Sequence, residues 1–313
     1  MPGTDLVDTP TMMTVLGIRS QDQWTQGRYD ILRRQAQQAV ISYLHWPVLG
    51  VAGSIDYYSG VGYGDIILKY PFTSAIVNVY QDQTGAYGDG PNAFATSPIS
   101  TVLVNGQDYA LVRDGPQGGV SKTGLLRRLT NAMYWWPSDL VMQRGSGGLS
   151  YRRPAFWPAG YGNIKVVSNW GFVNGVVVSG ASWISGTATI TTATPHLLWA
   201  GLMVNLTGIT PTGYNGDFFV IATPTPTTFT VSVSVNPGAY ASGGLLNSVP
   251  MDIQLATCEV VGVVRNTVKM GGYLSSESGG DYNYSINVAM QPMFGTVRQL
   301  LSPYRNVSDM GMA

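Results

Sequence analysis

The sequence predicts an α+β protein: a small helical bundle built from the two ends of the chain, protruding β-hairpins or sheet, and an inserted all-β domain. Three observations carry this. Apolar residues recur at helical spacing near the N-terminus and again after residue 249. Short apolar runs broken by glycine fill residues 55–172. Residues 173–246 are rich in Thr, Val, Ser, Gly and Pro, and Asp217 is their one charge.

Taken in order, residues 9–18 read as a short helix with Thr9 as cap, Pro10 in the first turn and Gly17 as stop. Residues 22–44 read as a long one, capped by Asp22 and ended by Pro47. Ile31, Leu32, Gln35, Ala36, Ala39, Val40, Tyr43 and Leu44 form its mostly apolar stripe. IILKY, AIVNVY, STVLVNGQDYALV and IKVVSNWGF read as strands. Asn105-Gly106 signals a hairpin, because a type I′ turn needs positive φ at both central residues. Residues 139–151 are polar and Gly-rich and read as loop.

In the Thr-rich stretch, TATITT, MVNLTG, DFFVIAT and TFTVSVSV read as strands of a sandwich or small barrel. Pro250 opens the next helix, with Ile253, Ala256, Val260, Val263, Val264 and Val268 near one face up to Gly271. A last helix spans 292–301, with Val297, Leu300 and Leu301 apolar. Each amphipathic segment needs a partner for its stripe, and the economical partner is the other end of the chain. The expected domains are therefore 1–172 with 248–313, and an insert at 173–247.

Charge is the unusual quantity. Asp, Glu, Lys and Arg make up 11% of the 313 residues, against about 25% in ordinary soluble proteins. The chain carries 39 Gly, 18 Tyr and 8 Trp instead. Charge depletion with aromatic enrichment marks interface cores, so much of the surface is expected to be covered by other subunits. The formal net charge of zero argues against a general nucleic-acid binder. No signal peptide or membrane span is visible, and production in a cytoplasm is expected.

Catalytic chemistry is not signalled. His45 and His196 are far apart, and read as a helix end and a turn. Cys258 lies in an apolar helical pattern and reads as a small buried hydrophobe. No Cys/His cluster has zinc spacing, and no GxSxG or Walker-type loop occurs. The glycines between Gly85 and Gly90 precede no helix that would complete a phosphate loop. Asp5, Asp8, Asp56 and Asp65 form no acid pair. The expectation is a non-enzyme without cofactor or metal. Arg33-Arg34 reads as a solvated or subunit-bridging helical face, and Arg127-Arg128 and Arg152-Arg153 are assigned to protein partners rather than DNA.

The ordered set of segments carries a resemblance. QQAVISYL, YSGVGYGDIILKYPFTSAIVNVYQD, the DYAL strand, IKVVSNWGF, VPMDIQLATCEVV, SSESGGDYNYSI and VRQLLSPYR occur in that order. They resemble the head-to-tail connector (adaptor) proteins of tailed bacteriophages over residues 9–172 and 248–305. In that family the strand ending at Gly171-Phe172 would run almost directly into Val249-Pro250; here the β module intervenes. The module itself resembles a small β domain of phage tail and other virion proteins. Its marks are Pro195-His196, Gly201, the strand at 204–208, Tyr214-Asn215-Gly216 and TTFTV. It departs at Leu197 and Leu202, where Gly and Asp are more common, which leaves the turn geometry open.

The resemblance implies a structural virion protein at the neck between capsid and tail. About twelve copies would form a ring around the DNA channel without reading sequence. The partners implied are the chain itself, the portal protein, and a stopper, tail tube or nozzle protein. Tyr273, Tyr282, Tyr284, Ser285 and Arg33 are the expected subunit contacts, with SSESGGDYNYSIN as a hairpin or extended arm on a neighbour. Tyrosine supplies large contact area at low rotamer cost there, and Gly279-Gly280 permits close backbone approach. Pro303, Tyr304, Arg305, Met310 and Met312 are expected at the portal. Asn105, Gly106, Asp108 and Tyr109 are expected at the next neck or tail protein. Two rival readings are a carbohydrate-binding tail surface protein acting through the β module, with Trp183, Trp199 and Tyr214 as its aromatics, and another neck ring such as a stopper or tail completion protein.

Overall fold

The computed structural model describes residues 5–18, 26–60, 62, 64–82, 100–114, 119–129, 142–145, 148–151, 156–269, 276–279, 282–285 and 291–306. The fold is α+β. Helices α1 (Thr9–Val15) and α2 (Gln26–Leu44) come first. Then follow β1 (Val51–Gly60), β2 (Asp65–Ile67), β3 (Thr73–Asp82), β4 (Ser100–Leu103), β5 (Tyr109–Leu111), β6 (Leu125–Arg128), β7 (Met142–Gly145), β8 (Gly148–Tyr151) and β9 (Gly160–Trp170). The inserted stretch contributes β10 (Val176–Ile184), β11 (Thr187–Thr192), β12 (Met203–Thr207), β13 (Gly216–Thr225), β14 (Thr228–Ser232) and β15 (Leu245–Asn247). After α3 (Met251–Lys269), β16 (Ser276–Gly279) and β17 (Tyr282–Ser285) lead to α4 (Gln291–Leu301) and a 3-10 turn at Ser302–Tyr304. The chain divides into two compact units. One is drawn from residues 1–49, 172–196 and 202–309, the other from 50–171 and 197–201.

In the first unit, α1 is capped by Asp8 rather than Thr9. The Asp8 carboxylate accepts from the Thr11 amide at 2.6 Å. Its backbone is extended (φ −78°, ψ 157°), which brings the carboxylate over the first turn. Thr9 is already helical, and its hydroxyl donates to Asp30 at 2.7 Å. Val7, Met12, Tyr29, Leu32, Ala36, Cys258 and Val261 form one buried cluster shared by α1, α2 and α3. The buried face of α2 continues through Val40 and Leu44, whereas Ile31, expected in the same stripe, is 59% exposed.

Arg33, expected on a subunit-bridging face, points inward instead. Its guanidinium pairs with Asp5 at 2.6 Å and donates to the Val7 carbonyl at 3.0 Å. The Asp5 carboxylate and the Val7 carbonyl draw it in beside the buried Leu32 and Ala36.

The ends of the chain meet around Phe172. Its amide donates to the Val48 carbonyl at 3.0 Å, and its ring lies 6.3 Å from Trp46 and 6.5 Å, edge-on, from Tyr304. The Trp46 indole donates to the Tyr304 carbonyl at 2.7 Å, across 258 positions of sequence. The Asn306 amide donates to the Leu44 carbonyl at 3.0 Å. Arg305 lies over the Tyr43 ring.

Strands β10 to β15 form a closed antiparallel barrel in the order β10-β11-β14-β13-β12-β15. Val176, Val178, Ile190, Val204, Leu206, Phe229, Val231 and Leu246 are buried in it. Short β15 closes it, because Leu246 pairs with Val176 of β10 and with Leu206 of β12. Entry and exit are tied together: Ser248 N–H donates to the Val173 carbonyl at 2.8 Å, and Val173 N–H donates to the Ser248 hydroxyl at 2.9 Å. Gly244 is required near closure, since a Cβ there would lie 2.5 Å from Ile209 and 2.9 Å from Val178.

In the second unit, β1-β9-β3-β4 and β2-β6-β5 are separate antiparallel sheets. Ile66, Leu68, Leu126, Tyr109 and Trp157 pack with Val79, Leu103, Ile164 and Val166. The expected hairpin at Asn105-Gly106 is not one. Gly106 takes φ +81° and the turn forms, but β4 pairs with β3 whereas β5 pairs with β6. The chain crosses between sheets there. Asp108 enforces this by accepting from the Val104 amide at 2.7 Å, and Tyr109, 2% exposed, anchors the far side. Residues 139–151, expected to be loop, contain the paired strands β7 and β8. Leu197, standing where the resembled module more often has Gly, adopts φ +57° and is buried. A strained φ of this kind costs about 1–3 kcal/mol, and burying a leucine side chain offsets a similar amount.

The two adjacent arginines of α2 should behave differently. Arg33→Ala is expected to lower stability by about 2 kcal/mol, because it removes charged hydrogen bonds from a buried site. Arg34→Ala, on the exposed side, should stay within about 0.5 kcal/mol. Urea unfolding of the two variants measures the difference.

Candidate functional site

Cys258 and His196 are both buried. Among the described residues no group of three or more His, Cys, Asp or Glu side chains is placed to hold a metal. Burial pushes the Cys258 thiol up to about 11, with Asp8 and Glu259 adding to the effect, so it stays protonated at neutral pH. His196 is 2% exposed. Its Nε2 lies 3.1 Å from the Thr225 carbonyl and 3.2 Å from that of Thr228, and its ring stands edge-on to Phe229. Nε2 must therefore carry the proton. Desolvation lowers the pKa of this histidine, opposed by those two carbonyls. His196 thus acts as a crosslink within the barrel, beyond the turn role that its sequence position suggests. No described helix is long and apolar enough to cross a membrane.

An apolar surface lies on the outer face of the four-stranded sheet. Tyr57 pairs with Lys165, Lys165 with Tyr80, and Tyr80 with Val102, making one rung across all four strands. Ile55, Val167 and Asn78 make the next. Strand alternation sends Val79, Ile164 and Val166 into the core and these residues outward. Ile55 is 54% exposed, Tyr57 47% and Val102 51%. Val104, beyond the end of β4, is exposed as well. Lys165 is the one charge in the two rungs, and its ammonium lies 5.2 Å from the Tyr80 ring centre. Apolar residues on both faces of a sheet are the pattern of a sheet covered on both sides.

The expected site residues fall into distinct places. Asn105 and Gly106 are exposed at the crossing between sheets, whereas Asp108 and Tyr109 are buried and hold it. Pro303 is exposed. Tyr304 and Arg305 are engaged with α2 and Phe172, and burial followed by the neighbouring Asp252 pushes the Tyr304 phenol up to about 12. The backbone of the tyrosine-rich stretch is a two-stranded hairpin, with Ser276 opposite Ser285 and Gly279 opposite Tyr282. Tyr273, Met310, Met312 and the Arg152-Arg153 pair lie outside the described residues. Of the pair Arg127-Arg128, Arg127 grips Asp65 through two bonds of 2.9 and 3.0 Å. That pairing holds the exposed Asp65 carboxyl below its usual range. Arg128 is buried against Trp157.

Sequence reasoning missed the outer rungs. Their signal was the pair Ile55-x-Tyr57 in SIDYYSG. The interspersed glycine and serine hid a ten-residue strand whose Ile55 and Tyr57 side chains face outward. No protein-family model matches the chain, and no curated protein matches it.

The His196 crosslink sets a pH dependence. A histidine whose folded pKa is lowered binds fewer protons folded than unfolded, so stability is full above the unfolded value and is lost as pH falls through the folded one. Thermal melts should show stability falling below about pH 6.5. In His196→Gln the part of that slope due to this residue should disappear, so the melting-temperature gap between variant and wild type narrows on acidification.

Proposed function

We propose that the chain is the subunit of a ring-forming structural protein of a tailed-phage virion, a head-to-tail connector (adaptor) at the neck. The observation that carries the reading is the outer face of the β1-β9-β3-β4 sheet: a tract of Ile, Tyr and Val with the single charge Lys165. Exposed apolar patches of this kind mark interaction sites, and the low charge of the whole chain points the same way. In this reading α1–α4 form the small bundle, and the packing of Cys258 and Val261 against Tyr29, Leu32 and Ala36 supports it. The β16–β17 hairpin lies on a sister subunit. The C-terminal segment and Pro303 face the portal, and the Asn105-Gly106 crossing faces the next neck or tail component. DNA passes through the centre without being gripped.

Negative-stain imaging of the full chain, alone and mixed with portal rings, tests the proposal. The expected result is a ring stacked on the portal, whether or not the free chain is monomeric. A chain that never binds portal under conditions where portal rings are intact would sink the idea. Ile55→Glu and Val102→Glu should each leave the melting temperature nearly unchanged, since both positions are solvent-exposed in the single chain. Each should weaken ring assembly by roughly 30-fold or more, as expected for a charge placed in an interface core. Normal assembly in both variants would remove the sheet face from the interface.

A further inference from the structure

Beside β10 lies a groove of about 540 Å³, lined by Gly180, Ala181, Ser182 and Trp183 of that strand, by Tyr214, and by Asn236, Gly238, Ala239 and Tyr240. That volume is within the range of roughly 300–1,000 Å³ typical of small-ligand sites. The walls are held in place. The Trp183 indole donates to the Val233 carbonyl at 2.7 Å. The Tyr214 hydroxyl donates to the Gly238 carbonyl at 2.9 Å. The Tyr240 hydroxyl sits 3.1 Å from the Val178 carbonyl and 3.0 Å from that of Gly243. The polar tip of each aromatic is thus spent on backbone, and what Trp183 and Tyr240 offer the groove is ring surface. A register shift in β10 between Val178 and Gly180 falls beside it, as bulges do where a strand re-aims its side chains.

The lining also says what fits. It contains no charged side chain, so a phosphate or carboxylate ligand would enter without a counterion. It contains no branched aliphatic side chain, so a lipid tail or steroid would find little to pack on. It does offer neutral hydrogen-bonding groups. The Asn236 Oδ1 accepts from Gly238 N–H at 2.9 Å, which orients the amide and leaves its NH₂ as a donor. An uncharged ring with one apolar C–H face and a rim of hydroxyls matches fixed aromatic surface beside an amide. We propose that this groove binds a neutral saccharide unit, with Trp183 and Tyr240 as stacking surfaces and Asn236 as hydroxyl partner. The site belongs to the barrel and does not rest on ring formation.

The test is calorimetric titration of the full chain with glucose, galactose, mannose, N-acetylglucosamine and their β-linked disaccharides, with a polyproline peptide as the competing ligand class. At least one sugar should bind saturably and change the fluorescence contributed by Trp183, identified as the signal lost in Trp183→Phe. Asn236→Ala, which removes the amide donor, and Tyr240→Ala, which removes a ring, should each weaken that binding by roughly tenfold or more. Unchanged melting curves would show that the barrel is intact in both. Three results would overturn the proposal: no saturable binding by any sugar in the set, sugar binding that survives both Asn236→Ala and Tyr240→Ala, or polyproline binding tighter than every sugar.

Discussion

The first unit depends on one contact between positions far apart in sequence. Trp46, at the end of α2, donates its indole proton to the carbonyl of Tyr304, and both rings lie against Phe172. Three segments therefore converge: the exit of the first long helix, the entrance to the barrel, and the turn after the last helix. Neither end can dock alone, because the loop closed by this bond spans nearly the whole chain. Closing such a loop is entropically costly, but the cost grows only slowly with length. A large insertion between residues 173 and 247 therefore adds little to it. The aromatic burial around Phe172 has to outweigh that cost, and it also brings Asp252 close enough to affect the Tyr304 phenol.

The barrel exploits the same tolerance. Val173 and Ser248 bond to each other through two backbone amides, a carbonyl and a hydroxyl, so the module begins and ends at one point. An insertion with adjacent ends leaves the surrounding path of the chain almost unchanged. Closure also removes free strand edges, the usual hazard of a Thr- and Val-rich sequence with a single charge. Neutrality is safe in the barrel because its ladder is complete. The same neutrality on the open face of β1-β9-β3-β4 has no such protection, which is why that face is read as a covered surface.

How legible this was in the sequence depended on the physical signal each element carries. Helices with strong 3.6-residue periodicity were placed closely: α3 and α4 differ from expectation by a residue or two. The strands TATITT, MVNLTG, DFFVIAT and TFTVSVSV were recognisable from β-branched alternation. β10 and β15, which close the barrel, were not. One is bulged and carries Gly180-Ala181-Ser182, and the other has three residues. Asn105-Gly106 was read correctly as a turn and wrongly as a hairpin, because a dipeptide fixes local φ but not which sheet each flanking strand joins. The inward turn of Arg33 had no local signature at all; it is set by Asp5 and Val7, which lie on a separate segment.

Leu197 shows where conformation and composition part company. Glycine is the residue that takes a positive φ most readily. This chain keeps the left-handed backbone with a leucine, at φ +57°. The side chain is buried rather than left in solvent, so its packing compensates for the local strain. Backbone geometry at this turn is therefore not set by the residue's own preference; the preceding His196 is fixed by its ring bonds to the Thr225 and Thr228 carbonyls. The groove along Gly180, Ala181 and Ser182 also keeps its shape through bonded neighbours. The rigid ladder behind it and the bonded tips of Trp183, Tyr214 and Tyr240 supply the rigidity that a binding surface needs.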